Sequence, residues 1–208
     1  MVFEKGEAVR YVGHLDILRT FIRALKRADI PLKYSEGFNP HAIMSFALPL
    51  GVGVTSECEI VDITLKDDLP AESVIAAVNA NMPHGAVRVL SGNYTAASPA
   101  EIVRAEYVIR IRNSCPINSD DLSGALAQKE IMADKKGKKA VKQINVMEHI
   151  FESEILELSD NECVLRLVIS AGNTFNLKPQ LVVAALVGAA HIEPVAVLPH
   201  RKRFITAS

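Results

Sequence analysis

Hydrophobic period alternates along this chain between that of a strand and that of a helix, and the order of alternation restricts the fold more than any other feature. Residues 8–12 form a short strand candidate ending at Gly13. From residue 14 to 29 the period changes: Leu15, Leu18, Ile22 and Leu25 recur at spacings of three and four, flanked by Phe21 and Ala28. That pattern predicts an amphipathic helix, which Pro31 closes. Residues 32–35 resume as a strand, residues 36–40 are turn-rich, and residues 43–48 are apolar and extended. Residues 57–65 alternate as a strand through Ile60, Val61, Ile63 and Leu65. Pro70 stands at the front of a second helix over residues 71–81, with Val74, Ile75 and Val78 as its apolar stripe. Residues 86–90 return as a strand.

The order β-α-β-β-α-β is the split βαβ of a ferredoxin-like domain. A small-residue linker, Asn93 to Pro99, follows, and the pattern begins again. Strands are predicted at residues 106–112, 141–146, 150–158, 163–170 and 193–198, with helices at 120–128, after a Ser119-Asp120 cap signal, and 179–188. The second half thus carries one strand more than the ideal repeat and a long lysine-rich loop. The expected fold is α+β: two tandem ferredoxin-like antiparallel sheet domains at residues 1–93 and 104–208, meeting near residues 93–103.

A chain of 208 residues that is 49% hydrophobic and 23% charged can bury a core, which excludes a wholly disordered protein. No apolar run approaches the roughly 18 residues of a membrane span, so no membrane partner is expected. The start lacks the basic and apolar stretches of a secretory signal. Cys58, Cys115 and Cys163 are odd in number and widely spaced, form no CxxC, and suggest a reducing cytoplasm.

A formal net charge of −1 hides local polarity. Between residues 10 and 33 stand Arg10, Arg19, Arg23, Lys26, Arg27 and Lys33 against Asp16 and Asp29; between 129 and 142 stand six lysines against Glu130 and Asp134. Arg201-Lys202-Arg203 lies just before the C-terminus. On the first helix Asp16, Arg19, Arg23 and Arg27 share one face, opposite much of the Leu/Ile stripe. Asp16 suits the helix dipole and an i,i+3 pair with Arg19, which accounts for it without chemistry. Arginines spaced by helical turns suit phosphates, because the guanidinium fork matches phosphate oxygens. Arg19, Arg23 and Arg27, with Lys135, Lys136, Lys138 and Lys139, are the candidate nucleic-acid contacts. Residues 134–139 carry like charges without a core-forming stripe and are expected to be a mobile tip.

Gly37 permits positive φ, Asn39-Pro40 forces a turn, and His41 stands at the mouth of the next strand. One reading makes Phe38 a core plug and His41 a surface residue. The other brings His14, Asp16 and His41 together at one end of the sheet as a general acid–base site, with Arg19 and Arg23 on its rim. No tight ligand spacing supports a metal there. Gly51-Val52-Gly53 lacks the full GxGxxG and a following helix, no GxxxxGK[ST] exists, and no local cysteine motif suits an iron–sulfur cluster. No cofactor is expected.

On these segments the chain resembles the bacterial radical-SAM-linked proteins, a family carrying a domain of unknown function. The matching residues are Lys5-Gly6, His14-Leu15-Asp16, Arg19, Ala24 to Ala28, Pro31, Tyr34-Ser35, Gly37 to His41, Ser45 to Ala47, Pro49 to Gly51, Gly53, Ser56-Glu57 and Glu59. The pattern returns as N-x-x-x-P-x-G at Asn79, Pro83 and Gly85, and departs where Gly13 replaces a usual Ser and Ala42 a common Pro. The resemblance implies a protein encoded beside, or fused to, a radical S-adenosylmethionine enzyme, and supplies no reaction. Three expectations stand open. They are an accessory that binds RNA or presents substrate to a radical SAM enzyme, an RNA-processing enzyme using His14 and His41, and a protein-binding adaptor.

Overall fold

The protein was analysed as a computed structural model that describes residues 1–94, 101–137 and 140–207, the side chain of Lys136 excepted. It divides into two compact units, Met1–Glu101 and Ile102–Ser208. It is a mixed α+β structure whose strand pairs are antiparallel, with four α-helices among the described residues.

The first unit runs β1 (Val2–Lys5), α1 (His14–Arg27), β2 (Met44–Phe46), β3 (Thr55–Ile63), α2 (Ala71–Asn81) and β4 (Val87–Ser91). Its strands lie in the order β4-β1-β3-β2. Both helices pack on one face, where Phe3, Val61, Val87 and Val89 of the sheet meet Ile17, Phe21, Leu25, Val74 and Val78. Phe21 is the centre of that core and makes edge contacts with Phe3 and Phe46 at centroid separations of 5.0 and 6.0 Å. Asn79 fastens α2 to β4, its amide donating to the Val89 carbonyl and accepting from the Val89 N–H. The N-x-x-x-P-x-G pattern therefore begins with a helix-to-strand clasp.

Two expectations for this unit are corrected. The first strand is Val2–Lys5 rather than residues 8–12, because Lys5 occupies a core-facing position and hides the alternation. Residues Glu7–Val9 form a 3-10 turn instead. Arg10 holds that turn: it pairs with Glu7 at 2.5 Å and donates to the Gly53 carbonyl at 2.9 Å. Leu32 and Tyr34 make only single bridges, to Leu65 and Ala42, rather than a strand.

The second unit runs β5 (Ile102–Asn113), α3 (Ser119–Ala127), β6 (Met132–Lys136), β7 (Val141–Asn145), β8 (Ile150–Ser159), β9 (Glu162–Ser170), α4 (Pro179–Ala189) and β10 (Pro194–Thr206). Its sheet order β10-β5-β9-β8 repeats that of the first unit, strand for strand. Alternate β5 residues Ala105, Tyr107, Ile109 and Ile111 are buried, as are Leu122 of α3 and Val182 and Leu186 of α4. Asn118 caps α3 by accepting the Asp120 N–H at 2.9 Å, one residue before the cap read from sequence. Arg201-Lys202-Arg203 is no free basic tail. It lies within β10, where Arg201 is buried and donates to the Tyr107 hydroxyl at 3.0 Å and Arg203 pairs with Glu106 at 2.8 Å.

The segment expected to be a lysine-rich loop tip is a strand as far as Lys136. Asp134, Lys135 and Lys136 belong to β6, which pairs with β7 as a separate hairpin, Lys135 opposite Lys142. Lys138 and Lys139 lie outside the described residues. The Lys135 ammonium sits 3.4 Å from the centre of the Phe175 ring, and His149 stacks on that ring at 3.9 Å while its Nδ1 lies 3.2 Å from the Ser170 hydroxyl. Burial lowers the His149 pKa below the ordinary value, Glu148 opposes this, and Lys135 adds to it. The unfolded chain therefore takes up this proton at a higher pH than the folded one. Stability from His149 is complete above an unfolded pKa of about 6.5 and is lost as pH falls towards the lower folded value. The melting temperature is expected to fall between about pH 7 and about pH 5, and His149→Phe to reduce that dependence. Parallel pH profiles for the two proteins would count against it.

Candidate nucleic-acid interface

The start of α1 is held from beneath by buried charge. Lys5, Arg10 and Glu59 are each at most 5% exposed. The Lys5 ammonium donates to the Arg10 carbonyl at 3.0 Å, and the same carbonyl accepts the Gly53 N–H at 3.0 Å. Burial lowers the Lys5 pKa, and the neighbouring Glu59 carboxylate opposes the shift. These residues tie the turn before α1 to the loop before β3. Gly53, at φ +86°, adopts a conformation that a side chain would strain. Lys5, Gly53 and Glu59 of the sequence pattern are thus scaffolding, Lys5 and Glu59 being recognisable only as charges out of place in an apolar period.

His14 opens α1 beside this cluster. It lines a recess of about 20 Å³, room for about one water, with Lys5, Ile17, Phe46, Leu50 and Glu59, and is itself exposed. Asp16 pairs with Arg19 at 2.8 Å on an exposed surface, the i,i+3 contact the helix alone explains.

His41 is elsewhere. β1 and β2 both run antiparallel to β3, so they run parallel to each other. The residue entering β2 therefore lies where β1 begins, whereas α1 begins where β1 ends. Along β3 the two positions are marked by Ile63, opposite Met44, and Ser56, opposite Lys5. Seven residues of strand separate them, about 23 Å. The structure does not bring His14 and Asp16 together with His41, and the expected acid–base pocket is corrected on topological grounds. His41 closes its own loop instead, with Nδ1 at 2.9 Å from the Ser35 hydroxyl and its backbone N–H donating to that hydroxyl at 3.1 Å.

A cavity of about 380 Å³ lies in the first unit between Ile63, Leu65, Asp62, Asp68, Val74 and Tyr94. None of the candidate site residues read from sequence lines it.

What remains of the expected site is the outer face of α1. Ile17, Phe21, Ala24 and Leu25 are buried, which turns Arg19, Arg23, Lys26 and Arg27 to solvent. Arg19 shares its guanidinium with Asp16. Arg27 donates to the Asn81 carbonyl and so also staples α1 to α2. Arg23 has no ion-pair partner among the described residues, and Lys26 lies 5.7 Å from the centre of the Tyr34 ring. The face presents guanidinium groups at one-turn intervals, which can bind a run of phosphates and cannot by itself do chemistry. In the second unit Lys135 is packed on Phe175, and burial lowers its pKa, which suits it poorly to a phosphate.

The model of the family described as an uncharacterized protein conserved in bacteria, DUF2344, matches residues 1–179. The chain belongs to that family. No curated protein matches this DUF2344 chain. Among solved structures it is similar to a chain of a Cbf5-Nop10-Gar1 complex, with a TM-score of 0.52 and 11% identity over 98% of this chain and 48% of that one. It is also similar to a chain of an H/ACA RNP bound to a substrate RNA containing 2′-deoxyuridine, with a TM-score of 0.51 and 11% identity over 98% of this chain and 47% of that one. The DUF2344 chain spans about half the length of these structures, and at such identity the likeness is one of fold.

Proposed function

We propose that this protein is a non-catalytic accessory that binds RNA through the outer face of α1 and presents it to a partner enzyme in the cytoplasm. The exposed row of Arg19, Arg23 and Arg27, with Arg23 unpaired among the described residues, carries the reading. One of the two structural relatives is a chain of an H/ACA RNP bound to a substrate RNA, which supports RNA over a purely protein partner. The identical strand order of the two units supports reading each as a ferredoxin-like domain, the tandem arrangement expected from sequence. The sequence resemblance favours a radical SAM enzyme as the partner.

Fluorescence anisotropy with a labelled single-stranded RNA, repeated from about 50 to about 200 mM salt, tests the binding. The wild type is expected to lose affinity steeply with salt. Arg23→Gln is expected to weaken binding and to reduce the slope by about 0.7 for its one phosphate, at an unchanged melting temperature. Binding that ignores salt, or an Arg23→Gln protein with the wild-type slope, sinks the proposal. Co-purification of the native protein with an iron–sulfur enzyme tests the partner.

A further inference from the structure

The loop between α1 and β2 displays an aromatic ring on a locked frame. Phe38 is 106% exposed, so the expectation of a core plug is corrected. An isolated apolar side chain on a surface is ordinary, but this one stands at the tip of a loop whose base is closed several times over. Tyr34 bridges Ala42, the Ser35 N–H donates to the His41 carbonyl at 2.8 Å, and the Ser35 hydroxyl meets both the backbone and the ring of His41. Gly37, at φ +115°, makes the reversal that carries Phe38 outward. The hydrogen bonds spent at Ser35 and His41 thus hold a ring that packs on nothing in its own fold.

The loop and the end of α1 that leads into it are basic on balance. Lys26 over Tyr34 joins the C-terminal end of α1 to the base of the loop. From residue 23 to 41 the chain carries Arg23, Lys26, Arg27 and Lys33 against Asp29 and Glu36, a local charge of +2. Cations beside an exposed aromatic are the two parts of a single-strand site, where phosphates follow the charge and an unpaired base stacks on the ring. Base-paired RNA has no free base face to offer such a ring.

We infer that Phe38 is a stacking platform for an unpaired base of single-stranded RNA whose phosphates run along the α1 cations. This rests on the RNA reading above and names the form of RNA it takes. The test compares wild type, Phe38→Ala, Phe38→Trp and Arg23→Gln by anisotropy on a labelled 12-nucleotide RNA of mixed sequence and on its duplex, about a turn of helix. Stacking is worth about 1–3 kcal/mol per base, so Phe38→Ala is expected to weaken single-strand binding by about 5- to 150-fold. It leaves the salt slope, the duplex affinity and the melting temperature as in wild type. Phe38→Trp is expected to bind at least as tightly. Because the chain has no other Trp, stacking is read directly as quenching of its fluorescence by RNA.

Wild-type affinity in Phe38→Ala, together with a weakened Arg23→Gln, overturns the stacking role and leaves the RNA reading standing. Equal loss on duplex and single strand overturns the choice of single strands. A wild type that binds neither RNA overturns both proposals and assigns the ring to a protein pocket. A lowered melting temperature in Phe38→Ala overturns the premise that the ring packs on nothing.

Discussion

Gly172→Ala is expected to destabilise the second unit by about 2–6 kcal/mol, from backbone strain and overpacking together. Gly172 has φ +152°, and a Cβ there would approach the Ile102 carbonyl oxygen to 2.3 Å. Backbone cannot swing aside as a flexible side chain does, so the first strand of the unit has to move. That strand, β5, lies between β10 and β9, and its displacement disturbs both pairings. Domains are stable by only about 5–15 kcal/mol, so a large part of the margin goes. Gly124 is the control, because a Cβ there meets nothing within 4 Å. Within α3, Gly124→Ala is expected to be neutral or stabilising by up to about 1 kcal/mol. Calorimetry on the two proteins checks the pair; equal melting temperatures would contradict the steric argument.

Phe21→Ala is expected to cost about 3–5 kcal/mol in the first unit. Phe21 is fully buried and is the side chain through which α1 meets β1 and β2. Its removal leaves a cavity that Phe3 and Phe46 cannot fill together, because each is held in its own strand. Arg23 is two residues away on the opposite face. The two substitutions therefore separate stability from binding on one helix. Phe21→Ala lowers the melting temperature and loses RNA only as the unit unfolds, whereas Arg23→Gln weakens RNA binding at constant melting temperature. A Phe21→Ala protein that melts with the wild type would show that α1 is not docked through this ring.

The residues shared with the radical-SAM-linked pattern divide into scaffold and surface. Lys5 and Gly53 hold the turn before α1, with the Glu59 carboxylate beside Lys5, and Asn79 clasps α2 to β4. Ser35 and His41 close the loop that presents Phe38. A histidine in a motif reads as chemistry, yet the Nδ1 of His41 is committed to its loop. The same holds for the cations. Arg201 and Arg203 read as a basic run and prove to be partners of Tyr107 and Glu106, and Lys135 covers Phe175.

Most of the element order is settled by the chain itself, because period, proline and glycine act over a few neighbouring residues. The extent of α2, the amphipathic α1 with its outward arginines, and the repeated alternation of the second half all follow from such local signals. Where a charge replaces an apolar residue on a buried face, as at Lys5, the local signal fails, and the period alone does not mark β1. Which motifs meet was decided only in three dimensions. The direction of β2 relative to β1 is set by pairing with β3, a contact between residues far apart in sequence, and it carries His41 to the opposite end of the sheet from His14. Whether a cation is free depends on carboxylates and rings brought from other strands, and no window of sequence contains them.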